Sequence, residues 1–268
     1  DNYIDYMLLN FYGGNDHDWF PSHNWVAGRK REAGGKFMFF MWDNDFLMRR
    51  LNASTIDNGG PGGMFGALRQ HLEFRMRLAD RAQKHFFNDG MLTPARVQAD
   101  FTELTNRIER TVIPECARWS LEGSEGSGYF FTPDQLHTYV DWIKTTWANS
   151  RTDTVLQQMR EAGIFPSVVA PSFNQHGGSV SLPFNLVITA PADTIYYTLD
   201  GSDPRQIGGA VAGTLYSGPI PLTKSVIAKA RARSGSTWSA LNEATFGIGP
   251  IADDLRITEV MYHPTDPT

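Results

Sequence analysis

The 268-residue chain is short of several things, and each shortage removes a class of protein. It carries a single cysteine, Cys116 in "PECARW", which excludes an internal disulfide and a cysteine-built zinc site. The flanks of Cys116 read as a helix face, so a core thiol is expected there. Cysteine poverty fits cytosolic proteins and many bacterial exported ones alike, and leaves the compartment open. No uninterrupted apolar run reaches the ~18 residues of a membrane helix. The 24 basic residues are dispersed among 29 acidic ones, and a net charge of -5 offers no electrostatic footprint for nucleic acid. The opening "DNYIDYMLLN" has no initiator methionine, basic n-region or cleavage site. The pattern is that of a chain cut at its start, and cut again at its end, where "LRITEVMYHP" begins an alternating strand.

What is present has the composition of a globular protein, with 41% hydrophobic and 12% aromatic residues, and the length suits two domains. The run "YIDYMLLNFY" is expected to be buried, and "KFMFFMWDNDFLM" reads as a buried strand behind the turn "EAGGK". From Gly66 to Gly163 the pattern is helical. A first stripe, Leu68, Leu72, Arg75, Ala79, Ala82 and Phe86, is expected to end at Gly90 as a cap. Thr93-Pro94 and Thr132-Pro133 are start signals for further helices, followed by Val97, Phe101, Leu104 and Ile108, and by Leu136, Val140, Ile143 and Trp147. The Gly-rich stretch Asn52 to Phe65 suggests a mobile surface loop. Near Pro166 the pattern turns to short alternating segments, "FNLVITA", "TIYYTLDGS", "SVIAKARA" and "STWSALNEATF", which predict an antiparallel sandwich. The fold class expected is α+β.

The stretch "GGNDHDWFPSHNW" concentrates the polar chemistry. Asp16 and Asp18 sit in a loop, Asn24 follows, and Asp43 and Asp45 end a strand that the "GRKREAGGK" hairpin folds back toward that loop. Two or three carboxylates with an amide carbonyl suit Mg²⁺ or Mn²⁺ and a nucleotide's phosphates, and an aspartate off the metal can orient or deprotonate a hydroxyl. The same residues also suit an ordinary turn, because Asn and Asp cap their own backbone. A zinc set of His17, His23 and Asp18 lacks a fourth ligand nearby.

The order of "NYIDYMLLNFYGGNDHDWFPSHNWVAGRK", "GGKFMFFMWDNDFLM", "EFRMRLADRAQKHFFNDGMLTPARV" and "ECARW" resembles the C-terminal lobe of the CotH kinase-like family, atypical protein kinases related to secretory-pathway kinases. The resemblance implies transfer of the ATP γ-phosphoryl group to Ser or Thr of a protein, with Mg²⁺ or Mn²⁺. It implies Asp18 as catalytic base, with Asp16 as its rival because the loop is longer than the family's usual spacing. Asn24, Asp43 and Asp45 would be the metal ligands. Such kinases hold a phosphate-binding lysine and its partner glutamate in an N-terminal lobe, expected to precede Asp1, so these residues alone are not expected to turn over ATP.

A second resemblance rests on "YYTLDGSDP", "LYSGPIPL" and "SVIAKARA", which are similar to the immunoglobulin-like domain at the C-terminal end of chitobiases and hexosaminidases. Asp200-Gly201 is expected to make a turn there; Asp200 and Asp203 as calcium ligands are the other reading. "DDLRITEVMYHP" resembles the opening strand of a lamin-tail-type sandwich. The expected division is a kinase-like lobe at 1–168, a sandwich at 169–248 and a truncated strand at 249–268. Both appended modules imply an extracellular or surface setting, with cell-wall or carbohydrate contact through the sandwich. The alternative is a surface adhesion protein whose kinase-like lobe is not catalytic.

Overall fold

The apolar run near the start forms α1 (Asn2–Gly13), and it is apolar nearly all round because it is the central helix of the first half. The computed structural model describes residues 1–16, 19–119, 132–191 and 194–249. The chain is an α+β protein, helical in its N-terminal part with a β-sandwich in its C-terminal part. Gly14 ends α1 in the left-handed region, φ 64°, and donates its N–H to the Asn10 carbonyl at 2.9 Å.

β1 (Trp25–Gly28) and β2 (Met38–Met41) form the expected hairpin, with Trp25 opposite Met41 and Gly28 opposite Met38. The Asn2 side chain serves β2 as a neighbouring strand would: it accepts from the Phe39 N–H at 2.6 Å and donates to the Phe39 carbonyl at 3.2 Å. Phe39 and Met41 pack on the core, yet β2 is not the buried strand its composition suggests. Met38, Phe40 and Trp42 are 44%, 52% and 59% exposed, because a two-stranded hairpin lying on one helix has only one covered face.

The Gly-rich stretch after Asn52 is likewise not a surface loop. Ile56 and Phe65 belong to the core, and the Phe65 ring meets Phe11 edge-on at 5.3 Å. Gly59, Gly60, Gly62 and Gly63 all take positive φ, which lets so short a segment fold back on itself.

The helical stripe that follows is broken into α2 (Met64–Leu68) and α3 (Leu72–Phe86). Arg75 braces the connection between them, its Nη1 donating to the carbonyls of Arg69 at 2.8 Å and Gln70 at 3.0 Å, while the end of α2 is closed by the Gln70 and His71 N–H groups on the Ala67 and Leu68 carbonyls. Gly90 is not the cap: α3 stops at Phe86, and Asn88 is the left-handed residue. Gly90 instead lies against the end of α3, where a Cβ would meet the His85 and Lys84 carbonyls at 2.5 Å.

α4 (Pro94–Trp119) starts at the Thr93-Pro94 signal, with the Thr93 hydroxyl on the Gly90 carbonyl at 2.8 Å. Its stripe is covered unevenly: Val97 and Val112 are buried while Leu104 and Ile108 are exposed, and Cys116 is half-buried rather than core. α5 (Pro133–Trp142) opens with a reciprocal capping box between Thr132 and Gln135, and a π turn at Ile143–Trp147 carries it without interruption into α6 (Ala148–Glu161).

The remaining elements are β3 (Ser172–Phe173), β4 (Gly178–Val180), β5 (Phe184–Leu186), β6 (Ile188–Thr189), β7 (Thr194–Thr198), β8 (Thr214–Leu215), β9 (Ile220–Leu222), β10 (Val226–Ser234), β11 (Thr237–Trp238) and β12 (Asn242–Ile248). The main sheet runs β4-β12-β10-β7-β8 with β11 on β10; β3-β6 and β5-β9 pair separately. All pairs are antiparallel except β12 with β4. Leu186, Ala230 and Phe246 are fully buried between the layers. Asp200 accepts from the Ser202 N–H at 2.9 Å and hydroxyl at 2.6 Å, and Asp203 is taken by Arg231, so both carboxylates serve turn and ion pair. The segment "LRITEVMYHP" lies outside the described residues.

Two arginines fasten the sandwich to α3. Arg231, buried on β10, makes a bidentate pair with Asp80 at 2.7 Å on both arms and a second with Asp203 at 2.7 and 2.8 Å. Arg205 grips Glu73 at 2.7 and 2.8 Å. On its other side α3 pairs with α1, through Arg77 with Asp1 and Arg81 with Asp5.

Candidate functional site

The loop that holds the candidate base leaves α1 at Gly14 and is anchored at both ends. Asn15 is fully buried at its start. Trp19 is buried at its end, with the indole N–H on the Tyr6 hydroxyl at 2.7 Å and the Trp19 carbonyl accepting from the Asn58 side chain. Asp16 lies in the turn between them, while His17 and Asp18 lie outside the described residues. The Asp16 carboxylate accepts from Arg50 at 2.5 Å. His23 is exposed beside Ser22 in the turn that precedes β1, where Trp25 reaches back to the Pro21 carbonyl at 3.0 Å.

The hairpin register decides which chain ends come together. Since Trp25 faces Met41, Asn24 enters the ladder and Asp43 leaves it at the same end. Both residues have positive φ, 59° and 53°, a conformation that Asn and Asp tolerate better than other side-chain-bearing residues. Asp43 and Asp45 are exposed. The chain then turns through Asn44, whose amide donates to the Trp42 carbonyl at 2.9 Å, and reaches Met48.

Here the two arms of the site are tied to each other. The Met48 N–H donates to the Gly13 carbonyl at 2.8 Å, and the Tyr139 hydroxyl donates to the Met48 carbonyl at 2.9 Å. Beneath them lies Arg151 of α6, with no exposed surface. Its Nε donates to the Tyr12 carbonyl at 2.7 Å, Nη2 to the Phe11 carbonyl and Nη1 to the Leu51 carbonyl. Burial lowers the Arg151 pKa to about 10, against the opposing pull of Tyr12 and Asp16. Burial also pushes Tyr12 up to about 12.

Among the described residues no three of His, Cys, Asp or Glu gather as a metal cluster. The candidate donors on this arm are hard oxygens: the carboxylates of Asp43 and Asp45 and the side-chain carbonyl of Asn24, of which the register brings Asn24 and Asp43 to one end of the hairpin. That set fits Mg²⁺ or Mn²⁺, which are held by one or two carboxylates with phosphate oxygens and water rather than by an all-protein cage.

Arg50, Tyr139 and Arg151 are the residues of this site that motif reading misses. Only Arg151 has a signal in the sequence. It falls on the apolar stripe Ala148, Thr152, Val155, Leu156 and Met159 of α6, and a cation on a buried stripe needs a partner.

Two families match the chain. The one described as CotH kinase protein covers residues 1–155, and the one described as Fn3 associated covers residues 186–243. No curated protein and no solved structure matches it significantly.

Proposed function

The chain belongs to the CotH kinase protein family, and on that premise we propose that it contributes the base and the metal-binding arm for transfer of the ATP γ-phosphoryl group to Ser or Thr of a protein. The observation that carries this reading is the β1–β2 register, which brings Asn24 and Asp43 to one end of the hairpin. Asp18 is the base in this proposal, because the rival Asp16 is already engaged by Arg50. Its carboxylate orients the acceptor hydroxyl and takes the proton. Asn24, Asp43 and Asp45 hold Mg²⁺ or Mn²⁺, which neutralises charge developing on the phosphoryl oxygens. The exposed outer face of the hairpin, with Val26, Phe40 and Trp42, is where an N-terminal lobe carrying the phosphate-binding lysine closes over the nucleotide. In this reading the lobe spans 1–168, the sandwich at 169–248 is of the chitobiase C-terminal type, residues 249–268 begin a lamin-tail-type domain, and the whole protein acts outside the cell.

The test uses the protein with its N-terminal lobe, labelled ATP and Mn²⁺. Asp18→Asn abolishes transfer to itself and to casein-like acceptors without lowering Tm, while Asp16→Asn retains transfer. A wild-type protein that transfers no label sinks the reading. Binding on glycan arrays or to cell walls by that inactive protein would favour the adhesion alternative.

A further inference from the structure

α1 already has a cap for its C-terminus, since Gly14 takes the left-handed position and bonds Asn10. That bond satisfies one of the four carbonyls left over at the end of α1; those of Phe11 and Tyr12 still need donors, and a buried arginine is a costly one, because removing a cation from water costs several kcal/mol even after relaxation. Arg151 nonetheless spends its guanidinium on three main-chain carbonyls, those of Phe11 and Tyr12 on one segment and Leu51 on another. The first two precede the loop with Asp16 and Asp18; the third follows Asp43 and Asp45. The guanidinium is planar, so a single side chain sets both the distance and the angle between the two segments, which a lysine's point charge cannot do. Its plane is held in turn by the Trp147 ring, 4.9 Å away. The fit leaves no slack on the loop side, because a Cβ at Gly14 would stand 2.9 Å from Nη2.

We propose that Arg151 is a positioning residue that holds the end of α1, from which the base loop departs, in register with the segment that follows the proposed metal-binding strand end. The proposal rests on the kinase reading for its consequence but not for its geometry, and the two can fail separately. Hydrogen exchange on this chain reads the geometry. In Arg151→Lys the amides of residues 11–16 and 47–51 gain exchange together, by about tenfold or more, while β10 and β12 keep their protection. Loosening of neither segment, or of one alone, overturns the clamp. If Arg151→Lys does not fold, Arg151→Gln is measured in the same way. Collapse of both variants also overturns the proposal, because the residue would then serve the fold and not the site.

Kinetics of the protein with its N-terminal lobe read the consequence. Arg151→Lys lowers kcat by about 10²-fold, the scale expected for a misplacement near 1 Å, and changes KM for Mn²⁺-ATP by less than about threefold. An active wild type with unchanged kcat in the variant refutes the positioning role. A wild type without transfer refutes the kinase reading and leaves the exchange result to decide the clamp.

Discussion

Replacing Asp80 by alanine strikes the seam between α3 and the sandwich where it is most buried. The Arg231 side chain is 1% exposed and that of Asp80 10%, so neither charge is screened by water. Asp80 accepts three bonds: two from Arg231 at 2.7 Å and one from the Leu241 N–H at 2.9 Å. Removing one partner of a buried pair costs about 3–5 kcal/mol, and Asp203 still faces Arg231, which places the loss at about 3 kcal/mol. The stranded Leu241 N–H adds about 1 kcal/mol. With a urea slope of about 3 kcal/mol/M, the midpoint falls by about 1 M. Fluorescence and circular dichroism transitions are expected to coincide in the wild type and to separate in the variant as the sandwich comes away from α3. The double variant Asp80→Leu, Arg231→Met loses less than Asp80→Ala, since no unpaired charge remains. A midpoint shift below about 0.3 M, or a double variant worse than the single, refutes the assignment of this stability to the ion pair.

Acid should loosen the same seam. Arg205, with the Gly208 N–H, lowers Glu73 from its ordinary 4.5 to about 2. A depressed carboxylate stabilises the fold above its unfolded pKa and loses that contribution as pH falls toward the folded value. Asp5 moves the same way, from 3.8 to about 2; burial raises it, and His85 and Arg81 more than reverse that. Tm is therefore level at neutral pH and falls between pH 4.5 and about 2, and Glu73→Gln flattens part of that fall; an unchanged slope counts against the pairing. At the loop, Gly14→Ala forces a side chain into φ 64° against Arg151 and lowers stability by about 1–2 kcal/mol, read as a drop in Tm. A neutral Gly14→Ala would mean that the loop is less closely held than its contacts state.

Local rules made much of the helical half legible. Thr132, Pro133 and Gln135 announce α5 because a cap needs only residues three apart, and Thr93-Pro94 announces α4 for the same reason. The hairpin was legible too, and with it the approach of Asn24 to Asp43, because a turn between two short apolar runs leaves little choice of pairing. The break between α2 and α3 was not, since Arg69, Gln70 and His71 include no glycine or proline to mark it.

The sequence by itself determined the α+β class and the order of hairpin, helices and sandwich, all properties of neighbours along the chain. Tertiary structure alone decided that one face of β2 stays open, that the Gly-rich stretch packs inward, and that Arg151 and Arg231 take partners more than a hundred residues away. Hydrophobic periodicity says that a residue is inside but not what it meets there. A buried cation is placed by the few carbonyls or carboxylates that can offset its lost hydration, and those come from segments that only the folded chain brings together.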